Sequence, residues 1–130
     1  MKALRTDLSI LKQFEFEYAP VGVKFLYERP EGIEQLEKTL PFCQMVREAQ
    51  ERGTPFYFGK DNEDCFGTMT LGMVDVPPFA EAGLLGEGYE IFEEPRANQR
   101  IYQDIMKLPQ GTVNYVAYSV IDALTFEPDL

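Results

Sequence analysis

The clearest hydrophobic pattern in the chain is an alternation of apolar and other side chains that begins at Val21. Val21, Val23 and Phe25 occupy every second position, as in a β-strand with one buried face. Residues 113–121 carry apolar side chains in both alternating sets, which is typical of a strand covered on both faces. The short apolar run 55–58 predicts a third strand.

Other segments carry the three- and four-residue spacing of amphipathic helices. The spacing predicts helices over residues 3–15, 33–40, 41–52 and 94–108, and a further helix that begins at Cys65. Pro41 suits the first position of the third helix, because its missing N–H would be unpaired there, and Gly53 suits its C-terminal cap. Asp64 is placed to be the N-cap of the helix at Cys65.

The order of these elements predicts an α/β or α+β fold, with a mixed sheet of at least three strands flanked by four to five helices. We expect the 130 residues to form a single domain. With 45% hydrophobic residues, the chain can build a core without disulfide or metal staples. Residues 125–130 resemble a turn that leads into another strand, so the domain is expected to be incomplete.

The charge balance excludes several partners. The chain has 22 acidic and 12 basic residues and a formal net charge of −10. Nucleic-acid binding depends on Lys and Arg at the phosphates, so we expect no nucleic acid and no anionic membrane as partner. No segment approaches the roughly 20 apolar residues of a membrane span, and the N-terminus turns polar too early for a signal peptide. We therefore expect a cytoplasmic protein with reduced cysteines.

The chain contains no histidine. This excludes Ser-His-Asp and Cys-His catalytic groups and His-ligated zinc or haem within the chain. The residues with chemical potential that remain are two cysteines and a lysine on an apolar strand.

Cys43 and Cys65 each fall where a helix is predicted to begin. In the first turn of a helix, unpaired N–H groups and the helix dipole favour a thiolate over a thiol. The alternative is that each cysteine is a small buried hydrophobe. Zinc ribbons and ferredoxins need closely spaced cysteine pairs, which the sequence lacks, so a metal held by Cys43 and Cys65 needs further ligands.

Lys24 lies within the first predicted strand and has two interpretations. Its ammonium can reach a ligand anion, or it can lie on the solvent-facing side of the strand. The acidic run Asp61, Glu63 and Asp64 lacks the glycine and terminal glutamate of a calcium loop, and a solvated loop is the preferred interpretation.

Several short motifs occur in a particular order along the chain. They are Pro20-Val21-Gly22-Val23-Lys24-Phe25, Phe42-Cys43, Cys65-Phe66-Gly67, Leu71-Gly72 and Phe126-Glu127-Pro128-Asp129. The ordered set resembles the domain of unknown function 169 family, found largely in archaea and anaerobic bacteria. The resemblance supplies no established activity, but it implies that Lys24, Cys43, Cys65, Gly67 and Gly72 occupy motif positions. We expect these five residues to be the ligand-binding candidates. It also implies that the 130 residues are the N-terminal part of a longer family fold with further cysteines downstream.

The leading hypothesis is a cysteine-centred redox or metal-binding domain, with Cys43 and Cys65 as metal ligands and Lys24 offsetting negative charge. An iron–sulfur cluster fits by analogy with the family. The first alternative is a non-catalytic module that binds a small anion at Lys24 and nearby helix N-termini. The second is an interaction or homo-oligomerisation domain that covers the open sheet edge near Leu130. The sequence names no substrate and leaves enzymatic activity open.

Overall fold

A computed structural model of the chain describes residues 6–62, 65–83 and 93–130. The chain divides into two compact units, one of residues 1–65 and 113–130 and the other of residues 66–112. The described ranges contain a mixed sheet of four strands together with four α-helices, so the predicted fold class is confirmed as α+β. None of the helices in these ranges has both the length and the apolar character that crossing a membrane requires.

The sheet belongs to the first unit, and all three predicted strands are present. Its strands are β1 (Val21–Leu26), β2 (Glu34–Gln35), β3 (Phe56–Gly59) and β4 (Tyr115–Val120). The spatial order is β1-β4-β3-β2. β4 pairs antiparallel with both β1 and β3, and β2 pairs parallel with β3. β4 is therefore a central strand, and five of its six residues are buried, as the two-faced apolar pattern predicts.

Aromatic rings build the core on one face of this sheet. Phe56 and Phe58 of β3 are fully buried, and both stack on Tyr118 of β4, with centroids 5.7 and 5.9 Å apart. Phe42 brings a helix onto this face, because its ring lies 5.4 Å from that of Phe58. Such ring pairs stabilise a core beyond the area that they bury.

That helix is α1 (Phe42–Arg52), and its prediction is confirmed. Pro41 is its N-cap rather than its first residue, and Gly53 closes it with a φ of 68° and an N–H donated to the carbonyl of Ala49 at 2.9 Å. A positive φ is the conformation that glycine adopts without strain. The buried face consists of Met45 and Ala49, both fully buried.

Two predicted helices are wrong. Within 3–15, the described residues form only a 3₁₀ helix, Ser9–Gln13, which has no buried residue. Its apolar stripe faces no core, so nothing stabilises a longer helix. Within 33–40, the chain forms β2 instead, and Leu36 donates its N–H to the carbonyl of Tyr57 at 2.8 Å. Pairing with β3 outweighs the helical spacing there.

The second unit contains three helices in its described part. They are α2 (Gly67–Thr70), α3 (Pro78–Glu81) and α4 (Pro95–Asp104). α4 confirms the helix predicted from residue 94, although it ends before 108. Asn98 of α4 is buried and donates from its side chain to the carbonyl of Gly83 at 3.3 Å. The rings of Phe66 and Tyr102 meet edge to face at 6.2 Å.

Candidate functional site

Cys43 is the second residue of α1, and its side chain is exposed. The residue before it, Phe42, packs its ring against Phe58. Because a helix turns by about 100° per residue, the packing of Phe42 against the sheet leaves Cys43 on a different side of the helix. The thiol of Cys43 is therefore open to solutes.

Cys65 is half-buried and, like Cys43, forms no disulfide. The helix predicted to start at Cys65 starts at Gly67, with Phe66 as its N-cap. The prediction that Cys65 lies in the first turn of a helix is therefore wrong. The predicted cap Asp64 lies outside the described residues, as does Glu63 of the acidic run, whereas Asp61 lies in a 3₁₀ helix over Lys60–Asn62.

Lys24 has a partner at the far end of the sequence. Its Nζ lies 2.6 Å from Oδ1 of Asp129, and the side chains are 27% and 37% exposed. Oδ2 of the same carboxylate accepts the backbone N–H of Phe25 at 2.9 Å. One carboxylate thus joins the ammonium and the backbone of β1, in charge-assisted hydrogen bonds. The charge of Lys24 is offset within the described chain.

Residues 124–130, which we call the edge segment, lie along β1. Leu130 and Val23 exchange backbone hydrogen bonds of 3.0 and 3.3 Å, so the edge segment lies beside β1 although it forms no strand of its own. A Cβ on Gly22 would stand 2.9 Å from the Cδ2 of Leu124 and 3.2 Å from the Cβ of Pro128. Gly22 is therefore the residue that lets the edge segment approach β1 closely.

The edge segment also holds residues near the N-terminus. The carboxylate of Glu127 accepts the backbone N–H of Thr6 at 2.7 Å and the hydroxyl of Thr6 as well. Glu127 and Asp129 therefore tie the segment to two separate stretches of the first unit. The motif 126–129 has a structural role that its sequence does not reveal.

Gly72 has a comparable role in the second unit. Its φ is +69°, and a Cβ there would collide with the carbonyl oxygens of Leu108 and Pro109. Around it, Leu108 donates to the carbonyl of Thr70 at 2.9 Å and Gly111 donates to the carbonyl of Gly72 at 2.8 Å. Glycine is required there by both backbone conformation and space.

The predicted site residues fall into both units. Lys24, Cys43 and Cys65 belong to the first, and Gly67 and Gly72 belong to the second. Across residues 6–62, 65–83 and 93–130, no three Cys, Asp or Glu side chains come together in a group that could hold a metal ion. A metal held by Cys43 or Cys65 needs ligands from outside these ranges.

The family model described as DUF169, uncharacterised ArCR, matches residues 9–130. The chain belongs to the DUF169 family. No curated protein and no solved structure matches it. The family resemblance predicted from the ordered motifs is therefore confirmed.

The DUF169 motifs divide into two kinds once their positions are known. Gly22, Lys24 and the edge segment hold β1, and Gly72 allows backbone packing in the second unit. Cys43 makes no comparable structural contact in the described residues, and its thiol faces solvent. Of the two motif cysteines, Cys43 is the exposed one.

The first unit contains a cavity that no sequence pattern predicts. It has a volume of about 590 Å³ and is lined by nine residues between Thr6 and Pro20 together with Ile121 and Asp122. Its charged lining side chains are Asp7, Lys12 and Asp122. None of the sequence motifs includes these residues. The helix predicted over 3–15 would pack against a core, and a packed helix would leave no cavity there. The cavity exists because the chain folds there into a 3₁₀ helix and a loop.

The carboxylate of Asp129 is expected to stabilise this DUF169 fold measurably. Asp129→Asn removes the ion pair with Lys24 and weakens the acceptor for Phe25. We expect the free energy of unfolding in urea to fall by about 1–2 kcal/mol, toward the lower end because both side chains are partly exposed. Glu51→Gln is the matched control, since its pair with Arg47 is 61% and 79% exposed and solvent screens most of the attraction between the two charges. Equal losses in the two variants would contradict the role of Asp129.

Proposed function

We propose that this chain is a cysteine-centred redox domain in which the thiol of Cys43 reacts with the disulfide of a partner molecule. The observation that carries the proposal is the exposure of Cys43 in the first turn of α1. Two other motif residues have structural tasks, since Lys24 is paired with Asp129 and Gly72 is enclosed by backbone. Cys65, half-buried in the same unit, is the second thiol.

The reaction is thiol–disulfide exchange. The sulfur of Cys43 gives its proton to solvent and attacks one sulfur of a disulfide R–S–S–R′. The bond between those two sulfurs breaks, a Cys43–S–S–R bond forms, and R′S⁻ leaves and takes up a proton. A second thiol, from Cys65 or from a small thiol in solution, then displaces RS⁻. Over both steps the disulfide gains the two electrons that two thiols lose.

The proposal has a metal-binding form. Cys43 and Cys65 would then be ligands of an iron–sulfur cluster or another thiolate-bound metal. Two thiolates fill half of a tetrahedral coordination sphere. Because the described residues supply no group of three ligands, the remaining ligands must come from undescribed residues or from a second chain.

Labelling of the folded protein tests the proposal. The chain is purified anaerobically, its metal content and visible spectrum are recorded, and a pulse of alkylating reagent is followed by mass spectrometry of the peptides. We expect Cys43 to be labelled on the order of tenfold faster than the half-buried Cys65, because thiol reactivity follows access as well as ionisation. Incubation with oxidised glutathione should add one glutathione to Cys43, and a small thiol should remove it.

Cys43→Ser and Cys65→Ser are the matched variants. The first is expected to abolish the glutathione adduct, and the second is expected to leave it in place. Stoichiometric iron that is lost in both variants would favour the metal-binding form. If both thiols stay unmodified in the folded, metal-free protein, the proposal fails.

The other functions predicted from the sequence stay predictions. An anion bound at Lys24 would share the ammonium with the carboxylate of Asp129, 2.6 Å away. Homo-oligomerisation is measured by light scattering, and a clean monomer at high concentration would count against it. Cytoplasmic location and the lack of nucleic-acid binding also stay predictions.

A further inference from the structure

The cavity of the first unit has the size of a small-molecule site. Its volume of about 590 Å³ falls within the roughly 300–1,000 Å³ of typical ligand pockets. Much of its wall is apolar. The apolar lining residues are Leu8, Leu11, Phe16, Ala19, Pro20 and Ile121. A wall of this kind accepts a hydrocarbon or aromatic group.

Two opposite charges in the lining have no ion-pair partner among the described residues. Lys12 and Asp122 both face the cavity. Neither side chain forms an ion pair or a hydrogen bond with any residue in the described ranges. They also do not pair with each other, so their charged atoms stand more than 4 Å apart. A ligand with two separated charges can reach both.

The third charge, Asp7, is already engaged. Its Oδ1 accepts the backbone N–H of Ser9 at 2.9 Å. The hydrogen bonds from the side chain and then the backbone of Ser9 hold the pKa of Asp7 below its usual value, with a smaller contribution from the ammonium of Lys12. Asp7 therefore shapes the 3₁₀ helix, and Lys12 and Asp122 are left for a ligand.

We propose that the cavity binds a small zwitterion with an apolar body, of the chemical class of an apolar α-amino acid or a short peptide. The carboxylate of the ligand meets Lys12, its ammonium meets Asp122, and its side chain lies on Leu8, Leu11 and Phe16. A simple anion would face an excess of carboxylates, and a simple cation would face the ammonium of Lys12. A zwitterion places a favourable charge at each position.

Three related probes test the charge requirement. L-phenylalanine carries both charges, 3-phenylpropionate lacks the ammonium, and phenethylamine lacks the carboxylate. Titrations of the full chain are followed by calorimetry and by NMR shifts of residues 6–20. We expect saturable binding of L-phenylalanine and, for each analogue, a Kd about two- to fivefold higher, because both charges are solvent-accessible and each contributes modestly.

Two variants assign each charge to its partner. Lys12→Gln is expected to raise the Kd of L-phenylalanine about two- to fivefold. It should not raise the Kd of phenethylamine, because it removes a charge that repels this cation. Asp122→Asn is likewise expected to raise the Kd of L-phenylalanine about two- to fivefold. It should not raise the Kd of 3-phenylpropionate, because it removes a carboxylate that repels this anion. Lys60→Gln, at an exposed lysine outside the cavity lining, is the control and should change nothing.

Three results would overturn the proposal. They are no saturable binding of L-phenylalanine in the millimolar range, equal binding of all three probes, and binding that neither variant alters. Lys12 and Asp122 are both exposed, so the variants should fold, and their NMR spectra check this. Cys43 does not line the cavity, so this result is independent of the redox proposal.

Discussion

Gly72→Ala is expected to lower the free energy of unfolding by about 3 kcal/mol, the sum of a left-handed backbone conformation and a steric collision. A φ of +69° costs any residue with a Cβ about 1–2 kcal/mol. The new Cβ would also be driven into the carbonyl oxygens of Leu108 and Pro109, and backbone atoms cannot move aside as flexible side chains do. Urea denaturation followed by circular dichroism measures the loss.

Gly111→Ala is the matched control in the same unit. Gly111 also has a positive φ, of +81°, but a Cβ there would meet nothing within 4 Å. Its loss should be limited to the conformational cost of about 1 kcal/mol. If the two variants lose the same free energy of unfolding, crowding does not explain the glycine at position 72. That result would favour a ligand-binding role for Gly72.

Phe58→Ala is expected to lower the free energy of unfolding by about 3–5 kcal/mol, the usual cost of removing a buried aromatic ring. Phe58 is fully buried, and its ring lies between those of Phe42 and Tyr118. The loss includes the support that holds the first turn of α1 on the sheet. Chemical denaturation measures the stability, and hydrogen exchange at the start of α1 measures the support.

Phe14→Ala is the control for Phe58→Ala, because Phe14 is 58% exposed; its loss should be under about 1 kcal/mol. Phe58→Leu covers the case in which the alanine variant does not fold. It keeps most of the volume and should lose only about 1–1.5 kcal/mol. A fully stable Phe58→Ala variant would show that α1 is held by other contacts.

The sheet and α1 were predictable because their patterns are local. Alternation at Val21, Val23 and Phe25 and two-faced apolarity in 113–121 follow from burial against neighbouring elements. Gly53 ends α1 through its own backbone freedom. Where burial did not follow periodicity, prediction failed. Residues 3–15 have helical spacing, but Ile10 and Phe14 are exposed and no core fixes the helix.

The site was less predictable, since its partners are distant in the sequence. The sequence around Lys24 does not indicate that Asp129 will pair with it. The sequence around Gly22 does not indicate that Pro128 will lie against it. Cys43 is exposed because Phe42 packs against the sheet. The ring of Phe42 contacts that of Phe58, which belongs to another element, so the local sequence does not predict the contact. The family resemblance draws attention to Lys24 and Cys43, but the motif alone does not separate packing roles from chemical ones.

The strand order has a consequence for how the chain is made. β4 lies between β1 and β3 in the sheet but is synthesised after both. Val21 of β1 therefore cannot pair with Val120 of β4 until residue 120 has been translated. During synthesis β1 therefore emerges with an apolar face and an unpaired edge, and it stays so until most of the described residues have been translated. Closing so long a loop slows folding, and nascent strand edges promote aggregation. We therefore expect the yield of folded protein to rise when chaperones are co-expressed and when translation is slowed.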